Sequence, residues 1–325
     1  MPNIITHSLF AQELLNSLNA KWLHEREHLY TIGSNGPDFL FFSGLEPKAL
    51  FSNREQENVL RAIGGKLHKG NVNAFYASAL DSISKESDPS IKLDMMAYVC
   101  GHLCHWALDS TVHPYVYYRT GKGHLQNNFN HHRMESVLDS IILKVKKNTT
   151  IKDFYTPAIA NCSLSESRAI ARVYIPAIAS IFNTKIEPHM IKETLDNWHY
   201  IQKAEYDPSG HKLSSLKNIE KGLRKKNMAS GLIVPNVPED NYDVCNLLHR
   251  VWSHPCDASL VYTKSFFDLY EEAMKKALDA IALFLKAVQD PKNKEEFLEF
   301  LGDRNYNTGI KNPPEMKNFD VCDFF

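Results

Sequence analysis

His105, Asp109 and His113 recur at intervals of four residues, and His131 and Glu135 repeat the interval further along. A helix advances about 100° per residue, so side chains at this spacing share one face, roughly 6 Å apart per step. Imidazole and carboxylate one turn apart can close on a single cation, and neutral His with Asp or Glu suits zinc. A single such pair is common on ordinary helices, where the histidine merely packs or faces water. Two pairs plus His113, in a stretch (99–139) that holds six of fifteen histidines, point instead to a metal site. Burying so many ionisable groups without a cation would be costly.

A metal cluster needs ligands from more than one helix. Three further residues qualify by type: His7 in the first amphipathic segment, Asp38 directly after Gly36-Pro37, and His68 in KLHKGNVNAF. Each alone is weak, since an Asp after Gly-Pro is ordinarily a turn residue. His102 and His132 compete with His105 and His131. His105 and His131 are preferred because each lies four residues before a carboxylate, whereas His102 is expected to pack or to support a ligand. His24, His28, His189, His199 and His211 have no such surroundings. Cys100 and Cys104 lie beside the histidines but read better as small buried thiols.

The elements that must position these residues are helical. Apolar periodicity predicts helices over 5–19, 54–84 (broken near Gly64, Gly65 and Gly70), 91–112 and 127–147. It continues over 165–183, 187–204, 212–225, 258–289 and 292–303. Residues 31–50 and 229–256 carry Gly and Pro and read as loops, and 304–325 as an extended tail. Alternating patterns are nearly absent. The expectation is one all-α domain over 1–325: a metal-binding half (1–150), a helical C-terminal half (160–303) and an irregular tail.

Composition narrows the function classes. Lys and Arg number 37 against 38 Asp and Glu, so no global field recruits nucleic acid. Six scattered cysteines make no disulfide framework. The opening MPNIITHSLFAQELL lacks the features of a secretory signal, and no stretch approaches the ~18 apolar residues of a membrane span. A cytoplasmic protein is expected.

Taken in order, His7, Asp38, His68, His105-xxx-Asp109-xxx-His113 and His131-xxx-Glu135 resemble the zinc-dependent phospholipase C family and the related zinc-dependent single-strand nucleases. The resemblance is strongest over about 1–140, and HRVWSHPCD (249–257) is a looser match to a Trp and Pro before the family's last long helix. It implies a zinc cluster in a compact helical fold that hydrolyses phosphodiesters. By position, Asp38, His68, His105 and Asp109 would hold one zinc, and His113, His131 and Glu135 a second. His7 and a shared Asp109 would hold a third together with the amino terminus. Secreted members supply an N-terminal Trp there. This chain begins Met1-Pro2, so two zincs are the core expectation and the third depends on the imino nitrogen of Pro2.

The implied chemistry is attack on phosphorus by a water whose pKa zinc lowers toward ~7. Asp38 would act as ligand, as base, or as both. Near-zero net charge favours a phospholipid or small phosphodiester over nucleic acid. Phe39 to Phe42 would form either an apolar lip or core. Tyr115, Tyr117, Tyr118 and Arg119 would be the stacking platform of a nuclease. Another helical metal phosphohydrolase is the second enzyme reading, although no His-Asp dipeptide of the HD type occurs. The non-enzyme alternative is a metal-stabilised helical binding protein.

Overall fold

Helix α6 (Pro89–Thr120) is the axis on which the other elements pack. Its start is set by Asp88, whose carboxylate accepts hydrogen bonds from Ser90 N and Ile91 N, with Pro89 in the first turn, where a missing N–H costs nothing. The structure is a computed structural model that describes residues 4–45, 54–238 and 241–322, with 54–58 by backbone alone. The amino terminus expected to join a third zinc, and part of the 31–50 loop, lie outside the described residues.

Among the described residues the fold is all-α apart from one two-stranded hairpin. Before α6 come α1 (Ile4–Ser17), the short α2 (Lys21–His24), α3 (Glu27–Gly33), a 3-10 turn (Gly36–Phe42), α4 (Arg54–Lys69) and α5 (Val72–Lys85). After it come α7 (Leu125–Lys147), α8 (Leu164–Phe182), α9 (Pro188–Glu205) and α10 (His211–Gly222). The hairpin β1 (Trp252–His254) and β2 (Asp257–Tyr262) follows, then α11 (Phe266–Gln289) and α12 (Lys294–Leu301). One hydrophobic core runs from Ile5 and Phe10 of α1 through Val99 and Trp106 of α6 to Phe284 and Leu301. No described helix is long and apolar enough to cross a membrane.

Four expectations change. The helix expected over 91–112 continues to Thr120, through Pro114. Proline there removes only the bond to the Ser110 carbonyl, and buried packing on both sides holds the helix together. The expected 54–84 helix breaks at Asn71, which takes a left-handed conformation (φ 62°), while Gly64 and Gly65 stay inside α4. Residues 258–262, expected as the start of a helix, lie instead in β2, which pairs with β1, Trp252 facing Tyr262. The helix begins only after Ser265, where a Ser265/Asp268 capping box sets its first turn. The stretch 31–50 also holds the end of α3 and the 3-10 turn. Within it Phe39 and Leu40 are buried core, Phe42 is buried but lines the cleft beside Asp38, and Phe41 is half-buried. Tyr115 is buried likewise and offers no stacking face.

Candidate metal centre

Five elements bring eight side chains together. α6 projects His105, Asp109 and His113 from one face, since residues four apart sit one above the other. α7 does the same with His131 and Glu135. His7 comes from α1, Asp38 from the 3-10 turn and His68 from α4. All eight are buried. They fall into three groups, each with ligand-type atoms in reach of one ion: His7, His105 and Asp109; Asp38, His68 and His105; and His113, His131 and Glu135.

The first two groups share His105. Asp109 lies between His7 and His105, with Oδ1 3.1 Å from His7 Nε2 and Oδ2 3.1 Å from His105 Nε2. Asp38 Oδ1 is 2.8 Å from His68 Nε2 and 3.8 Å from His105 Nε2. In the third group Glu135 Oε1 is 3.0 Å from His131 Nε2 and 3.4 Å from His113 Nε2. Asp109 Oδ2 reaches to within 3.5 Å of His113 Nδ1, which links this group to the others.

Several of these atoms have no hydrogen bond. Asp38 Oδ2, Asp109 Oδ2 and both ring nitrogens of His105 are buried and unsatisfied. His105 Nε2 and Asp109 Oδ2 stand close without the alignment of a hydrogen bond. Leaving such atoms unmatched costs about 1–3 kcal/mol each. Divalent cations would accept lone pairs from the two carboxylate oxygens and from one nitrogen of His105, so the residues fit the group they would hold. His7, Asp109, His113 and Glu135 also line a common cavity with Thr6 and apolar Leu108 and Val112.

Supporting contacts fix the donor nitrogens. Gly64 O, an acceptor only, takes a hydrogen from His68 Nδ1 at 2.7 Å and so turns Nε2 toward Asp38. Gly36 has φ +50°, and a Cβ there would lie 2.2 Å from His105 Cδ2, so glycine alone lets the 3-10 turn close over the ring. Asp139, one turn beyond Glu135 on α7, accepts hydrogen bonds from Ile5 N at 3.0 Å, Thr6 N at 2.8 Å and Thr6 Oγ1 at 2.6 Å. It caps the start of α1 and so places His7.

The electrostatics are those of an ion site. Burial holds His105 and His131 below the usual histidine range. Burial would also lower His113, but Asp109 and Glu135 outweigh it and lift the ring to about 9. Asp109 and Glu135 resist the upward push of burial and sit well below the carboxylate range, because histidines flank both. Both carboxylates are therefore charged, and a cation held there would take the place of the second proton on His113.

The competing residues stay outside the three groups. His102 stacks on Phe75 at 4.7 Å and hydrogen-bonds the Tyr76 hydroxyl at 2.8 Å and the Tyr174 hydroxyl at 3.1 Å. No group includes His132, Cys100 or Cys104. Burial pushes the Cys104 thiol up to about 12, which suits a packed thiol. Spacing gave no sign of Asp139 or of Tyr306, whose ring lies 5.4 Å from His68 and 5.5 Å from His105. A carboxylate four residues after Glu135 was the one available hint of the first.

A cleft opens beside Asp38, walled by Phe42, Trp198 and Tyr206 and by Asp139 and Glu205. Among its described lining residues no lysine or arginine occurs. Burial pushes the Glu205 carboxyl up to about 8.

A family model described as zinc dependent phospholipase C matches residues 6–206, a stretch that contains all eight clustered side chains. No curated protein and no solved structure matches the chain.

Proposed function

The chain belongs to the zinc-dependent phospholipase C family, and we propose that it is a zinc-dependent phosphodiester hydrolase acting on a phospholipid or small phosphodiester. The observation that carries this reading is the convergence of eight buried His and carboxylate side chains in which Asp38 Oδ2, Asp109 Oδ2 and His105 Nε2 are left without hydrogen bonds. Asp38, His68, His105 and Asp109 hold one zinc, and His113, His131 and Glu135 a second. His7 with Asp109 is the start of a third site. Zinc bound there supplies Lewis-acid polarisation of the phosphoryl oxygens and lowers the pKa of water toward ~7.

The chain's own residues do the rest. Asp38 Oδ1 faces His68 Nε2 at 2.8 Å, while Oδ2 is unsatisfied, and Asp38 lines the cleft. That oxygen accepts a hydrogen from the incoming water and orients its lone pair toward phosphorus. Phe42, Trp198 and Tyr206 give the substrate's alcohol portion an apolar seat. With no described lysine or arginine on its wall, the cleft offers a polyanion no cation to pair with, which favours a neutral alcohol over a nucleic acid strand.

The test is a metal count on the purified protein, followed by hydrolysis assays. Two or three zincs per chain are expected, with hydrolysis of phosphatidylcholine exceeding that of single-stranded DNA. Glu135→Ala should cost about 10³-fold or more, the equivalent of about 4 kcal/mol of lost charge stabilisation. Fewer than one zinc per chain, or full activity in Glu135→Ala, rejects the reading.

A further inference from the structure

The family match stops at residue 206, yet the metal centre is closed from behind by Asp303–Ile310. This strap is pinned at several points. Asp303 exchanges two hydrogen bonds with Asn73, and Arg304 O accepts from Trp106 Nε1 at 2.8 Å. Thr308 O accepts from His254 Nε2 at 2.9 Å, so the β1 hairpin holds the strap's far end. Gly309 packs on the Ser110 carbonyl, the one that Pro114 leaves without its helical N–H.

Between these pins lies Tyr306, which touches three of the eight clustered residues. Its carbonyl accepts from His113 Nδ1 at 3.1 Å, its N–H donates to His68 O at 3.2 Å, and its ring packs on His68 and His105. A carbonyl only accepts, so His113 must carry its hydrogen on Nδ1 and present the Nε2 lone pair toward Glu135. That tautomer is the one a metal requires. Tyr306 thus reaches both the His105 side and the His113 side of the centre.

We propose that the strap is a working part of the metal centre, with Tyr306 as a positioning residue, so that strap docking and metal loading stabilise each other. The inference rests on the reading that the clusters hold zinc. A bound ion fixes the rings against which the strap packs, and the packed strap holds those rings in the ion's geometry. By linkage, each then strengthens the other to the same degree.

The experiment uses the full-length, zinc-loaded protein and measures zinc loss to an excess of chelator. Tyr306→Ala removes the ring. Gly309→Ala lifts the strap without altering a ligand, because its Cβ would fall 2.2 Å from Ser110 O at φ +65°. Both should release zinc roughly 10–100-fold faster than the parent. Tyr306→Phe, which keeps the ring and the backbone contacts, should stay near the parent rate. The melting-temperature gain on zinc loading should shrink in the first two variants, a change that a purely structural role would not produce. In the unaltered chain, backbone amides of 303–310 should exchange hydrogen more slowly with zinc than after stripping. Equal exchange in the two states, or parent-like zinc loss from both Tyr306→Ala and Gly309→Ala, overturns the inference. A parent chain without zinc would instead reject the site reading beneath it.

Discussion

The two sides of the metal centre are assembled differently. His113, His131 and Glu135 come from α6 and the helix that follows it, and His131 with Glu135 sit one turn apart on the same face. Once those two helices pack, little else is needed. The His105 side draws His7, Asp38, His68, His105 and Asp109 from four elements, and none of the pairs except His105 and Asp109 is local. Its geometry rests on how α1, the 3-10 turn and α4 dock against α6. The lesson is that one cluster can contain a locally encoded site and a site that exists only in the folded chain, joined through Asp109.

The sharpest way to break this symmetry is Gly36→Ala. An added Cβ meets the His105 ring and forces a left-handed backbone on alanine, which should cost about 2 kcal/mol or more. Metal analysis should find zinc lost from the His105 side with the His113 side still loaded. Loss of both together would mean that the two sides are not separable.

A milder lesion acts at the helix start. Asp139→Asn replaces one of the two oxygens that cap α1 and turns an NH2 group toward N–H donors, at about 1–2 kcal/mol by thermal unfolding. His7 should loosen first, so zinc at Asp109 should exchange faster while the Glu135 ion stays in place. Equal release from both sides would show that α7 itself has shifted.

The smallest effect comes from a control outside both sides. Lys276 lies 4.4 Å over the Trp106 ring and donates to Ser110 Oγ, and burial, helped by Arg304, lowers its pKa to about 7. The unfolded chain therefore holds a proton that the folded one sheds between about pH 7 and 10.4. The lysine's cost is greatest below pH 7 and fades as pH rises through that window. Lys276→Met should raise the melting temperature most near pH 6, give little gain near pH 10.5, and leave the zinc content unchanged.

Much of this was legible in the chain. Most helices fall within a few residues of their expected limits, because apolar periodicity at 3.6 residues records which face is buried. The hairpin did not show, since residues 257–262 are exposed on both faces, leaving no buried side to alternate, and run into a strongly periodic helix. Tyr306 was equally hidden. It acts through a carbonyl, an N–H and a ring face, none of which leaves a mark in residue spacing.

Residue type and helical spacing alone determined that His105, Asp109 and His113 share a face and that His131 and Glu135 share another, because a turn of helix is a fixed length. Only tertiary structure decided that His7, Asp38 and His68 join them, that Phe39 and Leu40 face inward as core, and that a strap from the far end of the chain closes the cluster. Those contacts span scores of residues, and their register is chosen by packing: by where a glycine lets two backbones meet and where a proline leaves a carbonyl open.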